Sequence, residues 1–143
     1  MKENELFGIY KDFIMPTYTK TPLVFIKGKG SFLWDIHNQK YLDFFPGWGV
    51  GNLGHCHPKV MTAARDQIAK LIFVPNNYYN LSQAKLAKEL NFWNDFPAKV
   101  FFCNSGAEAN EGAIKLARKF GQGRFEVITF FNSFHGRIPP VAN

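Results

Sequence analysis

The feature that most limits how this chain can fold is a stretch in which two short apolar runs flank one long helical pattern. Lys99 to Cys103 and Phe125 to Phe131 are rich in Phe and Val and read as interior strands. Ser105 to Phe120 between them has strong helical character, and Gly121 to Gly123 stop it. Strand, helix and strand in so short a span predict a β-α-β unit with a right-handed crossover, and hence part of a parallel sheet. Two strands cannot complete such a sheet by themselves.

The upstream sequence follows a different pattern. From Leu23 to Phe45, β-favouring runs (Leu23 to Ile26, Phe32 to Trp34, Tyr41 to Phe45) alternate with turn signals at Gly28, Gly30 and Asn38, which predicts a small antiparallel meander. A glycine-rich stretch through Gly47, Gly49, Gly51 and Gly54 leads to His57-Pro58, where proline suits a first helical turn. Val60, Ala64, Ile68 and Leu71 then recur at helical spacing, so residues 58–72 read as an amphipathic helix. Pro75 and the polar run Asn76 to Asn80 break it, and Ser82 is placed to cap a further helix carrying Leu86, Ala87 and Leu90.

The helix start at Asn104-Ser105-Gly106-Ala107-Glu108-Ala109-Asn110-Glu111 is the first candidate site. In open α/β sheets ligands bind where strands end and helices begin. Ser105 followed by Glu108 matches a capping box, and Gly106 lets a ligand approach the backbone. Free N–H groups and the positive end of the helix dipole would favour an anion there. A capped helix with no ligand explains the same residues about equally well. The second candidate, Asn132-Ser133-Phe134-His135-Gly136-Arg137, follows the next strand and would open on the same crevice. Phosphate donors on one loop, with a flat ring and an arginine on the other, suit a planar, phosphorylated, charged ligand.

Other residues invite readings that fail on physical grounds. His55-Cys56-His57 offers zinc-type ligands, but adjacent residues seldom converge on one ion and no second cluster follows. Glu108 and Glu111 look like a carboxylate pair, yet capping and an i,i+4 pairing with Lys115 account for them. The Phe pairs 44–45, 101–102 and 130–131 are expected to serve packing. Cys56 and Cys103 stand in no metal or redox spacing, so both are expected as free thiols. Seventeen Lys and Arg against eleven Asp and Glu give +6, but the cations are scattered, which argues against nucleic acid as a partner. No run approaches the length of a membrane span, and Met1 to Glu5 lack the apolar run of a signal peptide, so a cytoplasmic protein is predicted.

The two motifs Ser105 to Glu111 and Phe134 to Arg137 together resemble the signature of class-III aminotransferases of fold type I. Tyr41-Leu42-Asp43-Phe44, Gly47 to Val50, Leu53 to Pro58 and Tyr78-Tyr79 resemble the same family in the same order, nearest its acetylornithine and ornithine branch. The resemblance implies an α/β fold, the N-terminal part of a pyridoxal-phosphate-dependent transferase. It implies an N-terminal segment with the meander over residues 1–55 and the beginning of the large cofactor-binding domain over 56–143. It assigns the cofactor phosphate to Gly106 and Ala107 with Ser105 beside them, ring stacking to Phe134, a place in the cofactor site to His135 as support of that loop, and the substrate carboxylate to Arg137. The implied activity is amino transfer between N-acetylornithine, or a related basic amino acid, and 2-oxoglutarate in arginine or lysine biosynthesis, by a homodimer.

The family also needs a lysine bound covalently to the cofactor and an acidic partner for the pyridine nitrogen, which normally lie beyond the span of this sequence. No lysine here stands in a matching motif, so no catalytic residue is assigned within the chain. The resemblance fails at Ile138-Pro139-Pro140, which predicts a fragment or the product of a broken gene. A noncatalytic module that keeps the phosphate site or the dimer surface is the alternative expectation.

Overall fold

The computed structural model describes residues 1–136. The chain divides into two compact units, Met1–Val74 and the part from Pro75 onwards.

The first unit opens with α1 (Glu3–Phe13), for which the sequence reading made no provision. Its signal is present in Leu6, Ile9, Tyr10 and Phe13, spaced for one helical face. Glu5 turns back to accept the N–H of Lys2, and Glu3 accepts His37 Nε2 at 3.0 Å, tying the helix to the meander. The predicted meander follows as β1 (Phe25–Lys29), β2 (Phe32–Asp35) and β3 (Lys40–Leu42), antiparallel in the order β1-β2-β3. Gly30 and Ser31 make the first turn, with Lys29 opposite Phe32 and φ positive at Gly30. That places glycine at the first central position, as a type II′ hairpin requires. Gly28 is no turn residue, contrary to expectation, but lies inside β1 opposite Leu33. A Cβ at Gly28 would stand 2.7 Å from His55 Cβ, so glycine is needed because His55 packs directly on it.

Asp35 organises the second turn. Its Oδ1 accepts the N–H of His37 at 2.9 Å and of Gln39 at 2.8 Å, while Oδ2 accepts Tyr41 Oη–H at 2.8 Å. At 4% exposure it is the one buried residue among those described. Burial pushes its pKa upward, and the bonds from Gln39, Tyr41 and His37 outweigh that and hold it below the ordinary value.

α2 (Pro58–Ile68) begins at the expected proline but ends short of residue 72. Gln67 closes it early: its carbonyl accepts the N–H of Lys70 and of Leu71, and its side chain donates to the Leu71 carbonyl at 2.8 Å. In the second unit, α3 (Leu81–Phe92) is capped by Asn80 and not by Ser82. Asn80 Oδ1 accepts the N–H of both Ser82 and Gln83, and asparagine ranks among the best caps. α4 (Gly106–Phe120) runs as predicted.

The segments 99–103 and 125–131 depart from expectation, for neither forms a strand among the described residues. Parallel strands are joined by a crossover and cannot pair through a tight turn, and no parallel pairing forms among the described residues. Phe101 instead lays its ring against Gly112 of α4, close enough that a Cβ there would meet it at 3.2 Å. No apolar side chain among the described residues is fully buried. The chain exposes 13573 Å² at 16.4 kDa, where a folded monomer of this mass exposes about 7,500 Å².

Candidate functional site

Ser105, Gly106 and Ala107 form the start of α4, as the sequence implies. Ser105 is the N-cap, and its Oγ accepts the N–H of Glu108 at 3.3 Å. The other half of the capping box is displaced by one residue: Glu108 Oε2 accepts the N–H of Asn104 at 2.6 Å instead of that of Ser105. Gly106 and Ala107 are the first two residues of the helix, and their N–H groups meet no acceptor among the described residues. A Cβ on Gly106 would meet no atom within 4 Å beyond its own turn, so nothing packs against this glycine. Glu108 in the first turn and Arg118 and Lys119 in the last match the helix dipole. Glu111 pairs with Lys115, as expected.

The second motif meets the same helix. Asn110 Nδ2 donates to the His135 carbonyl at 3.2 Å, bridging 25 residues of sequence. His135 Nε2 lies 3.2 Å from the Phe130 carbonyl, a loop-supporting contact. Phe134 presents its ring at 76% exposure. Arg137 lies outside the described residues.

The first unit contributes an arrangement that the sequence reading missed. His55 Nε2 and Asp43 Oδ2 are 2.6 Å apart, and Asp43 Oδ1 accepts the N–H of Phe45 at 2.9 Å. Bonds from His55 and Phe45 hold the Asp43 carboxyl below its ordinary pKa. Gly30 and His55 exchange two backbone hydrogen bonds, at 2.9 and 2.8 Å. Together these close the glycine-rich loop at its base, while Trp48 at its tip is 92% exposed. The loop borders an open cleft of about 880 Å³ lined by Ser31, Asp43, Phe45, Asn52 and His55. His55 is thus engaged by a carboxylate, and no group of three or more metal-ligating side chains gathers among the described residues. Cys56 and Cys103 are exposed thiols.

Residues 13–140 match the family model for class-III aminotransferases. The acetylornithine aminotransferase of Methanocaldococcus jannaschii is 46% identical over 142 residues, covering 96% of this chain and 35% of that enzyme. The enzyme of the same name from Methanothermobacter thermautotrophicus is 50% identical over 137 residues, with 96% and 35% covered. Among solved structures, an ornithine aminotransferase from Toxoplasma gondii, with pyridoxal phosphate in partial occupancy at its active site, superposes with a TM-score of 0.79 at 30% identity. The superposition covers 90% of this chain and 30% of that one. The chain spans about a third of the length of the curated relatives it matches.

Proposed function

This chain belongs to the class-III aminotransferases, and we propose that its share of their chemistry is to hold the phosphate and ring of pyridoxal phosphate and to receive the substrate carboxylate. The observation that carries this is the pair of N–H groups on Gly106 and Ala107 at the start of α4, without acceptors among the described residues and inside the family match. A phosphate held there would gain about 0.3–2 kcal/mol from the helix dipole besides its hydrogen bonds. Phe134, on a loop joined to the same helix by Asn110, supplies a flat apolar surface for the ring. When bound, pyridoxal phosphate would act as an electron sink for the carbon that bears the transferred amino group.

The chain's own residues have simpler tasks. Ser105 caps the helix so that its first N–H groups stay aimed outward, and His135 shapes the loop that carries Phe134. Arg137 offers a planar fork for a carboxylate, a role that rests on the family motif. The reaction we assign to the whole protein is amino transfer from N-acetylornithine or a related basic amino acid to 2-oxoglutarate, in arginine or lysine biosynthesis. The same proposal includes a cytoplasmic homodimer and a cofactor-binding domain that begins near residue 56. No helix among the described residues is long and apolar enough to cross a membrane.

A chimera tests this. Replacing the matched third of the Methanocaldococcus jannaschii enzyme by this chain should give a protein that transfers the amino group of acetylornithine. Within it, Arg137→Ala should raise KM for the amino acid by about 10- to 150-fold, the worth of a charge-assisted hydrogen bond, and leave cofactor affinity unchanged. Gly106→Val should do the reverse. An inactive chimera that binds no pyridoxal phosphate, or an Arg137 variant with unaltered KM, would overturn the assignment.

A further inference from the structure

Asn110 stands inside a recognised motif, yet nothing in the motif says what its side chain does. It lies four residues beyond Gly106 in α4 and therefore on the same face of the helix. Helical side chains lean toward the N-terminus, so its amide reaches back toward the turn that carries the free N–H groups. There it donates to the His135 carbonyl at 3.2 Å. Gly136, with φ of +110°, packs against the same amide, and a Cβ at this glycine would stand 3.3 Å from Asn110 Nδ2.

The rest of the return segment shows why this joint matters. Residues 125–131 join no strand among the described residues, so no ladder sets how far the Phe134 loop stands from α4. Two side-chain bonds to backbone carbonyls do so instead. Arg118 Nε donates to the Phe125 carbonyl at 3.2 Å near the start of the segment, and Asn110 anchors its end. His135 Nε2 meets the Phe130 carbonyl, which shapes the loop internally without attaching it to the helix.

We propose that Asn110 is a positioning residue, docking residues 133–136 on α4 so that Phe134 stands beside the N–H groups of Gly106 and Ala107. This rests on the cofactor-binding reading given above. Asn110 would then couple ring binding to phosphate binding while touching neither group itself.

The test uses the full 143-residue chain with Asn110→Ala, Asn110→Gln, Phe134→Ala and the Asn110→Ala/Phe134→Ala double variant. Alanine is the better helix former, so α4 should survive the substitution, and its helical signal is monitored alongside. Amide exchange at residues 133–136 should accelerate in Asn110→Ala while exchange within α4 stays as it was. Affinity for pyridoxal phosphate should fall about fivefold, the worth of one hydrogen bond, while affinity for inorganic phosphate changes less than twofold. Asn110→Gln should recover part of the loss, and the double variant should bind no more weakly than Phe134→Ala. Unchanged exchange at 133–136, or an equal fall for pyridoxal phosphate and inorganic phosphate, would overturn the proposal. If the unaltered chain binds no pyridoxal phosphate, the cofactor reading fails. The exchange measurement then decides the joint alone: faster exchange upholds it, and unchanged exchange ends it.

Discussion

The meander over residues 25–42 and the two segments flanking α4 are built from similar residues, with aromatic and β-branched side chains bounded by turn signals. Only the meander forms a ladder. Its strands are joined by turns short enough for each to find its partner at once, and Asp35 fastens the second turn with three hydrogen bonds. Segments 99–103 and 125–131 are separated by a helix and need further strands beside them. Local pairing therefore completes itself, whereas parallel pairing depends on what lies around it. Measurements on both regions can break or sharpen this contrast.

The largest effect concerns the apolar surface. With 13573 Å² exposed and side chains such as Phe131 at 100%, the 143-residue polypeptide should associate strongly with itself. Sedimentation over a range of concentrations should show mass increasing with concentration. A monodisperse monomer with one sharp, concentration-independent unfolding transition would show an autonomous domain and remove the contrast.

Acid should act next, on the turns of the first unit that Asp35 and Asp43 hold. Asp35 and Asp43 both have pKa values held below the ordinary 3.8, so their contribution is complete above that value and is lost as pH falls through the lower folded value. Amide protection at His37, Gln39 and Phe45 should collapse in this window. Asp35→Ala should abolish it for His37 and Gln39 at every pH. Protection that persists in this variant would show that the ladder alone holds the turn.

Smaller effects belong to α4. Ser105→Ala removes the cap and should destabilise the helix by about 1 kcal/mol, read as lost helical signal on heating. The displaced capping box sharpens the expectation: Glu108→Gln should weaken the bond to the Asn104 N–H and leave the Ser105 bond intact. Smallest of all, Lys115→Ala should cost α4 only about 0.2–0.5 kcal/mol, because its pair with Glu111 is solvent-exposed. A larger loss would mean that Lys115 holds something beyond that pair.

Much of the fold was legible where the signals are local. The turn at Gly30, the proline at the start of α2 and the Ser105 cap each follow from one residue's backbone or side-chain chemistry. α1 is legible too, in the spacing of Leu6, Ile9, Tyr10 and Phe13. Asn80 displaced Ser82 as a cap because neighbouring residues of similar propensity compete, and hydrogen-bond geometry settles the contest. At the candidate site, the motifs placed Ser105 to Ala107 correctly at a helix start, whereas the strand expected to lead into the Phe134 loop does not form. They could not reveal Asn110 bonded to His135, or His55 bonded to Asp43, because such pairs are neighbours only after folding and follow no spacing rule.

The bridge between Gly30 and His55 carries a consequence for the order of folding. The hairpins of the meander close loops of a few residues, which takes microseconds, while this bridge encloses 24 residues between its partners. Each doubling of a flexible loop adds about 0.6 kcal/mol of closure entropy, so the bridge must wait for a meander already in place to receive it. In the folded molecule the same order runs backward. The glycine-rich loop should detach as a cooperative unit while the hairpins remain closed, making it the earliest part of this region to exchange its amides with solvent.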